Sequence, residues 1–436
     1  MLPKLTLAAA CVLLWPTLAQ AQPQTQAQTQ SVVPGALLLT SPAQAIGQAL
    51  QSSPVLRGAG FSRDATYADR LQAPLRPNPE LNTSFESFGG MGGNGDSRGL
   101  RSLETTIGLS QRIELGGKRA ARIGLADRGA EVAGFEFTAA QLDLARDVTV
   151  AMAAAEAATR SLAVERDRLR LAGETLRAAR LRVDAGRDPL LQAERAEVTR
   201  ATAEIAMERA EREAEIARGE LAVLIGVPAV QLAARQPWFD DIGPAVPAPV
   251  PADPLQRLGA NPDLARFEAA IAQQRANVTL QRSTAVPDVT LNGDVRHARD
   301  SRETSFVAGV SIPLPFSDRN QGGIARANAE LLRAETEAQR GRAALVAELL
   351  ATERRLVLAW RAAQSLRRDA LPAAERAARS ASAGFGEGKF SFLEVLDAQK
   401  ALSDTQAQLV ETTQEFHTRR AALERLRGEQ PSGARR

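Results

Sequence analysis

Residues 106–115 read TIGLSQRIEL, and residues 305–314 read SFVAGVSIPL. In both stretches apolar side chains alternate with polar or small ones, which is typical of a β-strand with one apolar and one polar face. Both contain the order glycine, apolar residue, serine, at Gly108-Leu109-Ser110 and Gly309-Val310-Ser311. The two copies lie about 200 residues apart, far beyond the periods of solenoid repeats. The chain therefore contains one strand-bearing unit twice.

Other landmarks recur in the same order. They are Pro54 with Pro262, Pro79 with Pro287, Gly186 with Gly388, Leu190-Leu191 with Phe392-Leu393, and Leu224-Ile225-Gly226 with Leu426-Arg427-Gly428. Each unit reads helix, strand, strand, very long helix, long helix. The predicted fold class is mainly α with a small β part, built from this duplicated unit.

We predict the first unit at 42–226 and the second at 254–428. The first has strands at about 80–88 and 104–115 and long helices at about 118–183 and 189–226. The second has strands at about 288–297 and 304–314 and long helices at about 321–383 and 390–428.

The segments outside the two units have biased compositions. Residues 1–21 resemble a secretory signal peptide, with Lys4, an apolar core and Ala19-Gln20-Ala21 as the cleavage site. Residues 22–41 form a polar flexible leader, 227–253 a proline-rich linker, and 429–436 a disordered tail. Cys11 is the only cysteine; lipidation there is disfavoured, because Ala8 stands where such sites usually carry leucine.

The predicted long helices carry apolar residues at seven-residue spacing, which indicates coiled-coil packing. These positions are Val148, Ala155, Leu162, Leu169, Leu176 and Val183 in the first unit, and Val395, Leu402, Leu409, Phe416 and Leu423 in the second. After the signal, no stretch reaches the ~18 apolar residues of a membrane helix. The exported chain is then either periplasmic or a β-barrel of the outer membrane. Four strands cannot close a barrel, so several subunits would share one.

Catalytic and metal-binding patterns are not found in the sequence. Gly116-Gly117-Lys118 fails as a phosphate loop, since Arg119 replaces the required serine or threonine. His297 and His417 have no cysteine, histidine or carboxylate at ligand spacing. Charge is nearly balanced, with 54 basic and 51 acidic residues, which does not favour nucleic-acid binding. We predict no enzyme activity, no cofactor and no metal site.

Phe392-Leu393-Glu394-Val395-Leu396-Asp397-Ala398-Gln399 after Gly388 resembles the last helical hairpin of TolC-family outer-membrane efflux proteins. The duplicated plan resembles this family over nearly all of the mature chain. Residues 76–81 (RPNPEL) and 110–119 (SQRIELGGKR) are similar to its CzcC-type branch.

The resemblance implies a homotrimer in the outer membrane, with a large periplasmic part. Each chain would give four strands to a twelve-stranded barrel and its helices to a periplasmic tunnel. The implied partners are a periplasmic adaptor protein, an inner-membrane RND transporter and outer-membrane lipid. The implied function is the exit duct of a tripartite pump for divalent cations such as cobalt, zinc and cadmium.

The resemblance also places functional residues at the periplasmic tips of the hairpins. Adaptor docking is predicted at Gly186, Leu190, Leu191, Gly388, Phe392 and Leu393. Glu394 and Asp397 match acidic positions of the family's aperture, and three copies would form carboxylate rings that favour cations. Another interpretation is that both carboxylates only stabilise a helix N-terminus through its dipole.

Other functions remain open from the sequence. A duct for drugs or other organic compounds would show the same features. A periplasmic coiled-coil adaptor would share the signal and the long helices, although it usually has one hairpin rather than two. A secreted enzyme would need a clustered polar site, which the sequence does not show.

Overall fold

The computed structural model of the chain describes residues 36–88, 99–233, 236–244 and 253–429. The predicted signal peptide, most of the leader and residues 430–436 of the predicted tail lie outside the described residues. So do residues 234–235 and 245–252 of the proline-rich linker.

The described chain is mainly helical with a small β part, as predicted. The strands are β1 Leu37–Leu39, β2 Glu80–Glu86, β3 Glu104–Ile113, β4 Val230–Leu232, β5 Val289–Ala298 and β6 Glu303–Ser311. The helices are α1 Pro42–Ser52, α2 Pro54–Gln72, α3 Lys118–Asp184, α4 Leu190–Ile225, α5 Pro237–Asp240, α6 Pro254–Arg257, α7 Pro262–Thr284, α8 Gln321–Ser365, α9 Leu371–Gly386 and α10 Phe392–Leu426.

The longest helix, α3, has 67 residues and extends over about 100 Å. It contains no proline, which would remove a helical hydrogen bond. The predicted helix at about 321–383 is instead divided, because Leu366–Ala370 form a π-helical turn between α8 and α9. Pro372 explains the turn: it lacks an amide hydrogen, and its ring would clash with the carbonyl four residues earlier.

The leader is structured at its end, which the prediction of a flexible segment over 22–41 missed. Strand β1 pairs in parallel with β4 of the linker, with Leu37 opposite Val230 and Leu39 opposite Leu232. Leu39 is fully buried. The prediction of flexibility rested on the polar composition of residues 22–41. Burial of the apolar triplet stabilises the end of this segment.

The two units end in the same way. Gly226 follows α4 and Gly428 follows α10, and both have positive φ, at 85° and 67°. A Cβ atom at Gly226 would meet the carbonyl of Ser52, and one at Gly428 would meet the carbonyl of Ala260. Each glycine is therefore needed both for the helix stop and for close contact with the backbone just before Pro54 or Pro262.

Strands from both units form one antiparallel sheet in the order β2-β3-β5-β6. Its register places apolar side chains of adjacent strands side by side, as in the row Ile107, Val295 and Phe306. One face is apolar and exposed across all four strands, at Leu81, Phe85, Ile107, Leu109, Leu291, Val295, Phe306 and Val310. The opposite face carries polar residues such as Asn82, Arg296 and Ser305. β2 and β6 are edge strands, each with one unpaired side.

The long helices pack side by side, α4 on α3, α3 on α10, and α10 on α8 and α9. Heptad positions such as Val148, Ala155, Leu176 and Phe416 are buried, which confirms the packing role that their spacing predicts. No helix in the described ranges combines the length and the apolar character needed to cross a membrane.

The proline-rich linker is anchored to the helices by an aromatic cluster around His417 of α10. The Nε2 atom of His417 lies 2.9 Å from the carbonyl oxygen of Phe239, so this nitrogen carries the proton and donates. The imidazole stacks on Phe239 and meets Trp238 and Phe416 edge-on. It is only 5% exposed, and burial lowers the pKa of His417 to about 4. Arg160, Asp241 and Arg420 are the charged groups nearby.

We expect acid to weaken this anchor. The pKa of His417 is depressed in the folded state, so the unfolded chain binds an extra proton between pH 6.5 and about 4. The free energy of unfolding should fall as the pH decreases through that window, by at most about 3 kcal/mol. Thermal unfolding followed by circular dichroism near neutral pH and at about pH 5 measures this. The matched control His417→Gln keeps an amide donor but does not titrate, and it should lose this part of the pH dependence. An unchanged dependence in that variant would contradict the assignment to His417.

Candidate functional site

The two hairpin tips are tight turns that depend on glycines. The first joins α3 to α4 and the second joins α9 to α10. Gly186 has φ of 68° and Gly388 has φ of 80°, a region that side chains with a Cβ atom rarely adopt. After the turns, Pro189 precedes α4, and the Ser391 hydroxyl accepts from the Glu394 amide at the start of α10. The predicted tip glycines therefore occupy equivalent positions in the two units.

Arg182 joins the two tips to each other. Its Nε and Nη2 atoms donate to both carboxylate oxygens of Asp188, at 2.7 and 3.2 Å, within the first hairpin. Its Nη1 atom donates to the carbonyl oxygen of Phe385 in the second hairpin, at 2.9 Å. The guanidinium also lies 4.8 Å from the centre of the Phe385 ring. These hydrogen bonds from Arg182 hold the pKa of the Asp188 carboxyl below its usual range.

An apolar cluster supports the tips from within. Its buried members are Leu176, Ala179, Ala196, Ala381, Phe385, Phe392 and Val395. The rings of Phe385 and Phe392 lie 6.1 Å apart. Phe392 is only 3% exposed, so this predicted docking residue shapes the tip and presents almost no surface to a partner.

The other predicted apolar tip residues are on the surface. Leu190 is 64% exposed, and Leu191 and Leu393 are similarly accessible. Leu181 and Phe390 are also exposed beside them, and the sequence analysis did not single these two out. Together they give the tips an apolar surface that no described part of the chain covers.

The two predicted aperture carboxylates differ in their local roles. The Ser391 amide donates to Oε2 of Glu394 at 2.6 Å, which completes a capping box at the N-terminus of α10. This bond from Ser391 lowers the pKa of Glu394. Asp397 is exposed on the next turn of the helix. Glu394 therefore stabilises the start of α10 through this hydrogen bond, and it remains ionised and accessible.

A second cluster connects the sheet to the helices and accounts for the motif SQRIELGGKR. Arg122 donates to both oxygens of Glu114, at 2.6 and 3.1 Å. Lys118 donates to Asp288 at 2.6 Å, and the same oxygen of Asp288 accepts from the Leu115 amide. These contacts join β3 and α3 of the first unit to the start of β5 in the second. The Gly-Gly-Lys sequence forms the strand-to-helix turn between β3 and α3.

Arg182 and Asp188 are the main residues of the tips that the sequence analysis missed. The sequence contains a signal for this pair, because Arg182 and Asp188 are six residues apart and flank the turn at Gly186. The carbonyl of Phe385 could not be found from sequence, because it lies 203 residues away. Among the described residues, no group of three or more His, Cys, Asp or Glu side chains could hold a metal ion.

The duplicated helical hairpins, joined to a sheet with one apolar face, define the class of outer-membrane channel proteins. The solved structure of the outer-membrane channel OprN has a TM-score of 0.76 to this chain, with 22% identity, and covers 90% of this chain and 91% of OprN. This likeness establishes the fold.

The family model for outer membrane efflux proteins matches residues 45–227 and 254–429. The cobalt-zinc-cadmium resistance protein CzcC of Cupriavidus metallidurans is 31% identical over 97% of this chain and 99% of its own length. The nickel-cobalt-cadmium resistance protein NccC of Alcaligenes xylosoxydans is 27% identical over 70% of each chain. This chain belongs to the outer membrane efflux protein family, and the predicted family is confirmed. The protein is located in the outer membrane, and its long helices lie in the periplasm.

We expect Gly388→Asp to abolish efflux while leaving assembly intact. The positive φ of Gly388 disfavours any residue with a Cβ atom, at a cost of about 1–2 kcal/mol. The new carboxylate would also lie close to Nη1 of Arg182, which is 3.7 Å from the Cβ position. Export assays in cells, with the amount of assembled protein measured in outer-membrane fractions, test this.

Gly386→Asp is the matched control for the tip. Gly386 is exposed, does not have positive φ, and has no atom near its Cβ position. It should retain most of the efflux. Normal efflux by Gly388→Asp would argue against a functional role of the tip.

Proposed function

We propose that three copies of this chain form the outer-membrane exit duct of a tripartite RND efflux pump. The duct passively conducts its cargo from the periplasm to the exterior. A twelve-stranded barrel crosses the outer membrane, and the long helices continue it as a tunnel. An inner-membrane RND transporter supplies the energy, and a periplasmic adaptor protein contacts the tips. The chain itself catalyses no reaction.

The observation that carries this proposal is the four-stranded sheet. Its apolar face is exposed while its other face is polar, which is the alternation of a transmembrane barrel with a wet interior. The unpaired sides of β2 and β6 could not be left open in lipid. Pairing β6 of one copy with β2 of the next removes all free edges when a ring of copies closes.

We propose divalent heavy-metal cations of the cobalt, zinc and cadmium class as the cargo. The support is the end-to-end similarity to CzcC, which is a cobalt-zinc-cadmium resistance protein by name. NccC, a nickel-cobalt-cadmium resistance protein, is similar over a shorter range. A conduit for cations does not need ligands that hold them, and soft ligands are scarce in this chain, with two histidines, four methionines and one cysteine.

Two measurements test the function. Purified protein in planar lipid bilayers should give discrete conductance steps, and protein that inserts without conducting would contradict the duct. A strain without this chain should lose tolerance to cobalt, zinc and cadmium salts, and tolerance should return with the chain. If tolerance to dyes and detergents is lost instead, the cargo is organic compounds, which is the second candidate.

We expect Val310→Arg to hinder insertion into the outer membrane. Val310 is exposed on the apolar face of the edge strand β6, and an arginine at mid-bilayer costs about 2–4 kcal/mol. Leu109→Arg on the central strand β3 should behave in the same way. The amount of folded protein in outer-membrane fractions measures the effect. The control is Ser311→Arg, one residue along and on the opposite face, which should insert normally. Equal insertion of all three variants would mean that the apolar face does not contact lipid.

We also expect charge at the aperture to set ion selectivity. Glu394→Gln combined with Asp397→Asn removes both charges, while glutamine can still complete the capping box. The double variant should show lower cation selectivity in single-channel recordings, because rings of carboxylates favour cations. Ser391→Ala is the control for capping, because it removes the capping hydroxyl and keeps both carboxylates. It should lower thermal stability and leave the selectivity unchanged. Unchanged selectivity in the double variant would leave only the stabilising role.

A further inference from the structure

α7 packs on α3 and on the first part of α8, where Arg275 contacts Glu335. The described helices beyond α7 form an open row with two different ends. α4 packs on α3, α3 packs on α10, and α10 packs on α8 and α9. α4 therefore lies at one end of the row and α8 at the other. Each end helix has an exposed flank that bears its own pattern of charged and apolar residues.

The exposed flanks of the two end helices lie at the same height. Arg425 of α10 contacts Asp143 of α3 at 2.8 Å, and the adjacent Leu144 shares a core cluster with Leu221 of α4. Arg427, next along the chain from α10, contacts Glu353 of α8 at 3.2 Å. α4 ascends from its tip and α8 descends. At equal rise per residue, residues 354–365 of α8 are therefore level with about 213–224 of α4.

The flank of α8 carries an arginine stripe, which we define as Arg354, Leu358 and Arg361. The two arginines are seven residues apart, so they lie on one side of the helix. Leu358, between them, is 68% exposed. Within the described ranges, neither arginine has an ion pair or a side-chain hydrogen bond. The stripe thus places two unpaired cations on either side of an exposed apolar residue.

The flank of α4 carries an acidic stripe, which we define as Glu213, Ile216, Glu220 and Val223. These positions also follow one side of a helix. Ile216 is 54% exposed and Val223 is 76% exposed. Neither glutamate has an ion-pair partner in the part of the chain that the structure describes.

Other charges near the acidic stripe do not cancel it. Arg212 is already paired with Glu215 at 2.8 Å. Arg218 is two residues from both Ile216 and Glu220, so it points to another side of the helix. At the lower end, Arg209 is four residues before Glu213 and lies on the same side of the helix, so it offsets part of the charge of Glu213. No arginine or lysine lies three or four residues from Glu220. The stripe therefore remains acidic along the stretch that is level with Arg354 and Arg361.

We propose that the acidic stripe of α4 docks against the arginine stripe of α8 in a second copy of this chain. The helices run antiparallel, the apolar residues meet at the centre, and the charges flank them. At these heights Glu220 falls between Arg354 and Arg361. Each copy offers one stripe of each kind, so the contact is head-to-tail and can close into a ring. This inference rests on the proposed trimeric duct and adds the residues that select the partner and its register.

A charge swap tests this contact. Glu220→Arg and Arg361→Glu each place like charges opposite one another, and each single variant should dissociate in SDS about tenfold faster than the native trimer, because like charges at an interface cost free energy. The double variant restores an opposite pair with reversed sign and should regain most of the lifetime. The control Glu411→Arg reverses an exposed glutamate on α10, in the middle of the row, and should leave the lifetime unchanged.

The other outcomes are distinct. If the native protein forms trimers and neither single variant shortens their lifetime, the two stripes do not meet, although the duct remains. Single variants that weaken the trimer without recovery in the double variant would also overturn the pairing. Variants that keep the trimer but lose an adaptor protein in pull-downs would assign the stripes to that partner instead. A native protein that forms no trimer would contradict the proposed duct itself.

Discussion

The backbone of the two edge strands is the constraint on which the rest of the molecule depends. β2 and β6 each leave one row of amide and carbonyl groups unpaired, and the exposed apolar face of the same sheet favours lipid over water. Lipid offers these groups no hydrogen bonds. Only another strand can satisfy them, which is why we propose that further copies of the chain complete the sheet. The duplicated unit reduces the number of copies required, since one chain already brings four strands.

The helices continue the molecule beyond the sheet. They add no unpaired strand edge, because their backbone hydrogen bonds are made within each helix. Buried heptad residues such as Val148 and Phe416 hold them side by side. The contact of Lys118 with Asp288 joins the units where the sheet gives way to helices, and Arg182 joins them again at the tips. The two units of one chain are thus connected at both ends. Such connections suit a conduit that must keep its shape while cargo passes.

Much of this arrangement could be predicted from sequence because it depends on local patterns. The alternation in residues 106–115 and the heptads predict strands and long helices directly. Other features depend on contacts between distant residues. The burial of Phe392, the pairing of Leu39 with the linker and the bond from Arg182 to the Phe385 carbonyl all follow from the way the units pack. The π-helical turn before Pro372 could have been anticipated from the proline alone.

The number of chains in the membrane-inserted complex is the most direct test of the account. Native mass spectrometry of the detergent-solubilised protein, with no chemical crosslinking, measures this number. We expect the mass of three chains, because three sets of four strands close a barrel without free edges. A stable single chain that keeps its strand content in detergent would contradict the claim that the open sheet requires partners.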